Sequence, residues 1–513
     1  VCSAALAPGL ALPRAEAAAK SQTVGRAVPA GNYTMSFRSE LSQMDIEHEY
    51  YYSDSFFAHT SIRYDHQLAL ATLGMVTAAF NTWASDAKYW ANGDVGRENS
   101  LDAAYTKLGF GDVKYRYYDV DVGKAGDFVG WSTARKTITL NGKRTTIVAL
   151  ILRGGGYGGE WVSNLHTGTG HAHGGFIIPV HEVFADLKNY LAAARQKGEL
   201  GVVKLWMGGY SRGAAVANLL AARVNKEMSG LERENVFVYT FATPVALGPQ
   251  DYPDLQQDYD NNHNADGSLK ESWGESNIFN IISSGDVVPR VLPAEWGFYR
   301  NGNDRFLPAT VVPEELQALN DRSAGMEGAP LDFGRLAVTE ETDAVLQSMM
   351  TLFGSRQTYH EDYEDAMRCI LQCVTTRSEA EVTRGVILDD AAVVAQLRSM
   401  EPMRQFPQEK VERCVQAASA LSRPLLEKLG NAVPLQAQQI VIPMLAVGLC
   451  FELDPETLQL VSDFVLSTIT VKGQLSGILK TVLCHFLETY ITLLEYYDPA
   501  DHGMEPYTRQ EEL

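Results

Sequence analysis

Cysteine is scarce. Six in 513 residues (Cys2, Cys369, Cys373, Cys414, Cys450 and Cys484) are too few for a disulfide scaffold, and none falls in the paired Cys-x-x-Cys spacing of a zinc site. Cys369 and Cys373 stand one helical turn apart and read as buried thiols. Basic charge is also in short supply. With 43 Lys and Arg against 63 Asp and Glu, the formal net charge is −20, which repels phosphate backbones and anionic membrane surfaces. Nucleic acid is therefore not an expected partner. Long apolar runs are missing as well: past the first residues the longest, Ile440 to Phe451, contains Pro443 and falls short of the ~20 residues that span a bilayer. No transmembrane segment is expected. What the chain does have is 45% hydrophobic residues, which at this length bury a large core in one large or two ordinary domains.

Val1 to Leu12 reads as the tail of an apolar stretch. It is followed by small residues at alternate positions in Ala15-Glu16-Ala17 and Ala17-Ala18-Ala19, the pattern that signal peptidase cuts. Residues 1–19 are thus expected to be the remnant of a signal peptide, with a mature start near Lys20 and a secreted or cell-surface product. A disordered Ala-rich terminus is the alternative.

Residues 20–60 are polar and read as an irregular arm with a possible strand at Tyr50 to Phe57. Asp65 to Phe80 carries Leu68, Leu70, Leu73, Val76 and Phe80 at mostly helical spacing, which predicts a buried amphipathic helix. A second helix is expected from Ser100 to Leu108. Val113 to Val120, Phe128 to Leu140 and Arg144 to Leu152 read as strands, the last two joined by Asn141-Gly142, a pair suited to a two-residue turn with positive φ. Helices at Phe176 to Arg195 and Ser211 to Met228 then alternate with strands at Val202 to Met207, Val236 to Phe241 and Ile278 to Ser283. Such alternation predicts an α/β fold with a mostly parallel sheet covered on both faces. Asp251 to Glu275 is acidic, Asn-rich and expected as a surface insertion. From Val312 onward the strand signal stops and helical patterns continue to Tyr497. The expected organisation is an α/β core over 61–310 and a helical region over 311–513.

The segment Val202-Val-Lys-Leu-Trp-Met-Gly-Gly-Tyr-Ser211-Arg-Gly213 is an apolar strand running through Gly-x-Ser-x-Gly into a helix. This is the nucleophile elbow of α/β-hydrolases. The turn holds the serine in a strained backbone conformation, and only small residues two before and two after it let strand and helix approach that closely. It also sets Ser211 at a helix N-terminus, where backbone N–H groups favour a developing oxyanion. One oxyanion donor would be the N–H of Arg212. The second comes in this fold from the loop after an earlier strand. Ile147 to Leu152 runs into Arg153-Gly154-Gly155-Gly156-Tyr157-Gly158-Gly159-Glu160-Trp161, and Gly155 is the candidate.

In chain order the sequence shows Arg153-Gly154, Glu160-Trp161, His173-Gly174-Gly175-Phe176 and Gly209 to Gly213, then Tyr239 to Pro244 and Asn280 to Pro293. This succession resembles the class 3 (fungal-type) lipases of the α/β-hydrolase superfamily, with a long helical C-terminal region added. The resemblance covers roughly Asp65 to Pro308, about half the chain. It implies a serine acyl hydrolase without a cofactor, with a mobile lid at Gly155 to Asn164 that makes transient contact with a lipid surface. Asp286 lies in the segment that resembles the family's acid segment and follows an apolar strand, so it is the candidate triad acid, with a turn-forming aspartate as the alternative. The order Ser, Asp, His places the histidine after Asp286, leaving His485, His360 and His502. His485 stands in Leu483-Cys484-His485-Phe486, similar to the family's closing segment; His360 is the alternative; His502 falls in a polar tail. With either of the first two, the helical region has to fold back over the sheet, where it would cap the site and roof an acyl pocket.

His166, His171 and His173 cluster in a Gly- and Thr-rich loop, but no carboxylate or cysteine completes a metal set. Asn262 to Trp273 lacks the first Asp and last Glu of a calcium loop. The expected protein is therefore a secreted serine hydrolase of carboxylic esters, with a triacylglycerol or phospholipid-like substrate implied by the resemblance alone. The alternatives are a hydrolase-fold surface protein that binds without turnover, and a short-chain esterase or thioesterase.

Overall fold

In the strand Lys143–Leu152, Ile147, Ala149 and Ile151 join one hydrophobic cluster while Val148, Leu150 and Leu152 join another. This two-residue period marks a strand packed on both faces. The computed structural model describes residues 25–38, 45–79, 97–117, 127–155, 172–247, 275–283, 286, 288–290, 299–307, 365–366, 369–370, 373, 389–429, 435–453 and 485–496.

The first elements are β1 (Gly31–Arg38) and β2 (Asp45–Tyr52), then helices α1 (His66–Ala78) and α2 (Arg97–Lys107). The expected irregular arm is instead an antiparallel pair in register from Gly31↔Tyr52 to Arg38↔Asp45. The strand expected to run on to Phe57 stops at Tyr52, where Ser53 caps a short 3₁₀ turn over Asp54–Ala58. Burial is the reason. Tyr50 and Tyr52 point inward while Tyr51 stays exposed, and the turn then seats Phe57 against Trp206 and Phe237. α1 is the buried helix expected here, and the burial extends to every residue from Leu68 to Ala78. Its two threonines satisfy their hydroxyls within the helix, Thr72 on Leu68 O and Thr77 on Leu73 O, which is how polar side chains survive in a helix with no solvent face.

β3 (Gly111–Arg116), β4 (Trp131–Leu140), β5 (Lys143–Leu152), β6 (Val202–Tyr210), β7 (Val236–Phe241), β8 (Ile278–Ser283) and β9 (Asn303–Leu307) form one seven-stranded sheet in that order. β3, β4 and β5 are antiparallel neighbours; β5 through β9 run parallel. Asn141 (φ 48°) and Gly142 (φ 74°) close the β4–β5 hairpin with positive φ at both positions, as the Asn-Gly pair predicts. β9 has no counterpart in the sequence reading. It is a short edge strand, Asn-Asp-Arg-Phe-Leu, without an apolar run to mark it.

Two crossovers carry the chain through α3 (Gly174–Gln196) and α4 (Arg212–Glu227). Successive right-handed crossovers that step the same way along a sheet fall on one face, and α3 and α4 do pack side by side, with Val180, Val183 and Leu187 against Val216, Leu220 and Val224. The opposite face is covered by the β1–β2 hairpin, α1, α2 and the last helix described, α8 (Leu487–Tyr496). Between β9 and α8 lie α5 (Asp390–Ser399), α6 (Gln408–Leu429) and α7 (Leu435–Cys450). These form a hydrophobic cluster of their own around Val393, Leu397, Val411, Val415, Ile442 and Val447. This is an α/β-hydrolase fold with added C-terminal helices. Among the described residues no helix is long and apolar enough to cross a membrane. Residues 1–19, the 251–274 insertion and most of the lid segment lie outside the described residues.

Candidate active site

β6 ends at Tyr210 and α4 begins at Arg212. The single residue between them, Ser211, has φ 51° and ψ −123°, a conformation costly to a residue with a Cβ and found where the surroundings over-determine it. Here two glycines do so. A Cβ on Gly209 would lie 2.5 Å from Gly213 O, and one on Gly213 would lie 2.4 Å from Arg153 O and 2.6 Å from Leu152 O. The elbow is therefore wedged between its own helix and the end of β5, where the Gly155 loop starts.

A serine in the N-cap position ordinarily turns its hydroxyl onto the first turn of the helix. Ser211 makes no such bond; its Oγ stands 2.8 Å from Nε2 of His485. The other ring nitrogen, Nδ1, is 2.8 Å from Oδ2 of Asp286. Asp286 follows β8 and is almost completely buried. Its carboxylate gathers three donors: Val288 N–H on Oδ1 at 2.9 Å, and the imidazole and the Tyr490 hydroxyl (2.7 Å) on Oδ2. A carboxylate taken out of water needs such donors in place of its lost hydration. Burial, with the Asp286 charge next to it, pushes the Tyr490 phenol well above the ordinary tyrosine value, so Tyr490 remains a donor at any physiological pH.

Of the sequence candidates, Ser211, Asp286 and His485 converge. His360 and His502 lie outside the described residues, as do His166, His171 and the 262–273 loop. His173 packs at the start of α3 with its ring stacked 4.0 Å from that of Phe176. Among the described residues no group of three or more His, Cys, Asp and Glu could hold a metal ion. Arg212 has a backbone N–H on the first turn of α4, ahead of the helical bonds that Ala214 and Ala215 make to Ser211 O. Gly155 lies two residues beyond Arg153, whose carbonyl abuts Gly213.

Several residues that hold this arrangement escape sequence reasoning. The Arg212 side chain is buried and donates to Phe128 O at 2.8 Å and 2.9 Å and to Gly175 O at 2.9 Å, pinning the start of α3 to the elbow. Tyr210 donates to the backbone carbonyl of His485 at 2.6 Å, and its ring meets that of Tyr490 edge-on at 5.6 Å. Tyr490 also accepts Ser283 N–H at 3.1 Å. Arg300 donates to Thr243 O and Pro289 O and pairs with Asp304, bracing the loop that carries Asp286. The one available signal was Asn280. An asparagine inside the apolar strand Ile278 to Ser283 must be satisfied by partners, and it is, by Asn218, Thr240 and Asp304.

Residues 151–296 match the family model described as Lipase (class 3). No curated protein matches the chain. Among solved structures the chain is similar to a triacylglycerol lipase whose catalytic centre is formed by a serine-protease triad (18% identity, TM-score 0.31, covering 48% of this chain and 82% of that one). Similar too are the Rhizomucor miehei lipase in its propeptide complex (18%, TM-score 0.30, 47% and 67%) and lipase II from Rhizopus niveus (14%, TM-score 0.30, 48% and 83%). The span of the family match begins at the end of β5 and includes both the strained serine and the aspartate after β8. Through that segment the chain is similar to the class 3 lipases, and the matched span holds both residues that the elbow and the end of β8 bring to the site.

Proposed function

We propose that the chain hydrolyses acylglycerols or related lipid esters, with Ser211, His485 and Asp286 as its catalytic triad. The observation that carries the proposal is the ring of His485, whose two nitrogens stand 2.8 Å from Ser211 Oγ and 2.8 Å from Asp286 Oδ2.

In this mechanism Nε2 takes the Ser211 proton as Oγ attacks the ester carbonyl, and returns it to the departing alcohol. Asp286 holds the ring so that Nδ1 carries a hydrogen and stabilises the imidazolium formed in passing. The tetrahedral oxygen takes the N–H groups of Arg212 and Gly155, at the positive end of α4. Water then attacks the acyl-enzyme with His485 again as base. Each step uses the chain's own groups.

Lipid preference is supported by the class 3 family match and by the surface next to the elbow. Ile178, one turn into α3 and just past the Gly175 carbonyl that Arg212 holds, is 45% exposed. An aliphatic side chain at that rim suits contact with a lipid phase, with residues 155–164 as the lid. Export of the protein is the further part of the proposal, supported by the small-residue pattern of residues 15–19. A p-nitrophenyl ester series of rising acyl length tests the substrate reading. Octanoate and longer esters are expected to be turned over, and Ser211→Ala to remove nearly all of that turnover. Hydrolysis confined to acetate and butyrate would contradict a lipid substrate, and absence of any Ser211-dependent turnover would favour a protein that binds without reacting.

A further inference from the structure

Four cysteines, Cys369, Cys373, Cys414 and Cys450, converge on the separate core of the C-terminal helices, three of them fully buried within it and Cys414 packed at its edge. All four carry free thiols. α6 and α7 are consecutive helices joined by the short connection 430–434, and cross-contacts align them antiparallel in a definite register. Phe406 meets Phe451 edge-on at 4.8 Å, and Lys410 pairs with Glu452 at 2.8 Å. One helical turn beyond Lys410 on α6 stands Cys414, and on α7 Cys450 immediately precedes Phe451. On this register Cys414 and Cys450 form the next rung, with Cys414 packed against the cluster that holds Cys450.

The partners are unequal. Cys450 is buried, and burial, with the Cys414 sulfur beside it, pushes its thiol well above the ordinary value. Cys414 is partly exposed, with the Lys410 ammonium one turn away on the same helix, so an external reagent meets Cys414 first. An attacking thiol that is accessible, followed by a buried one on the facing helix beside it, is the arrangement that disulfide exchange requires.

We infer that Cys414 and Cys450 are a redox-active dithiol that closes to a disulfide, stapling α6 to α7 when the protein meets a small-molecule disulfide. In the first step the Cys414 thiolate attacks one sulfur of the oxidant; that S–S bond breaks and one thiolate leaves with the electron pair. Cys450, losing its proton, then attacks the Cys414 sulfur and expels the second thiol. The two cysteines together lose two electrons and two protons, and the oxidant becomes two thiols. The ring so closed holds roughly 36 residues, long enough for the cross-link to restrict the unfolded chain substantially.

The test uses the full chain, native, treated with oxidised glutathione, alkylated, digested without reductant and analysed by mass spectrometry. A linked Cys414–Cys450 peptide pair, reversed by dithiothreitol, is expected. Cys450→Ser should instead accumulate a glutathione adduct on Cys414, and Cys414→Ser should form no link to Cys450. The oxidised wild-type protein should unfold several degrees higher than the reduced one, a difference absent from Cys414→Ser. Ester hydrolysis should be the same in all three proteins. Complete alkylation of both cysteines after oxidant treatment would overturn the inference, as would a link that joins Cys450 to Cys369 or Cys373. Should either serine variant fail to fold, the two-dalton mass loss mapped in the wild-type chain decides alone.

Discussion

Tyr490 donates its hydroxyl to Oδ2 of Asp286 at 2.7 Å, the same oxygen that faces Nδ1 of His485 at 2.8 Å. α8 thus reaches the site twice: His485 stands just ahead of it, and its own Tyr490 supports the aspartate. Tyr490→Phe keeps the ring against Tyr210 and removes only the hydroxyl. A lost hydrogen bond to a buried carboxylate costs about 2 kcal/mol, so denaturant unfolding should show that loss. Ester turnover should fall about tenfold in kcat with KM little changed, because the group acts through Asp286 and not on substrate. A variant that loses stability yet keeps full kcat would make Tyr490 purely structural.

The elbow predicts a steric threshold. A methyl group at Gly213 has the backbone of β5 in its way, 2.4 Å from Arg153 O, and neither element is free to move without shifting Ser211. Gly213→Ala should lower stability by about 3 kcal/mol or prevent folding, and any folded fraction should lack activity. Thermal unfolding and esterase assays on the same sample check this. An alanine variant with unaltered melting and turnover would mean that the glycines do not shape the elbow.

Lys136 lies on β4 with no solvent exposure, paired to Asp54 at 2.5 Å, donating to Leu108 O at 2.6 Å and facing the rings of Tyr52 and Phe110. Burial outweighs the Asp54 charge and holds the ammonium down to about 8, against an ordinary 10.5. The unfolded chain therefore binds more protons than the folded one between pH 8 and 10.5, so this group adds stability as pH rises through that window and withholds it below. From pH 8 to 10 the gain is about 2 kcal/mol. Unfolding free energies of the wild type and Lys136→Met, measured at both pH values, should differ in slope by that amount, the wild type being the one that rises more. Parallel slopes would contradict the assigned burial.

Local features were the legible ones. The Ser211 elbow could be read because strand, glycines and helix are contiguous, and β5, β6, β7 and β8 because apolar runs flank them. Asn141-Gly142 declared its own turn. By contrast β1 was hidden, and β2 showed only its end at Tyr50 to Tyr52, since the rest of the pair is polar in sequence and its burial against Trp206 is long-range. β9 was missed because an edge strand needs little apolar content. α1 was legible as a buried helix from its apolar spacing, but not that Thr72 and Thr77 would be satisfied within it. His485 and His360 were both admissible by chain order, and it is the three-dimensional path of the chain into α8 that brings His485 to Ser211. Tyr490 and Arg300 carried no sequence signal: each acts on a residue far from it along the chain, and no short pattern encodes that meeting.

The central claim concerns the hydroxyl of Ser211 and its activation by His485, and covalent capture addresses it directly. The full chain incubated with a p-nitrophenyl alkylphosphonate should gain one phosphonyl group, mapped by mass spectrometry to Ser211, with release of one equivalent of p-nitrophenol. His485→Ala should slow that capture by about 10³-fold or more while leaving the fold intact, since the serine is then without its base. Capture at the wild-type rate in His485→Ala, or an adduct on any residue other than Ser211, would contradict the account.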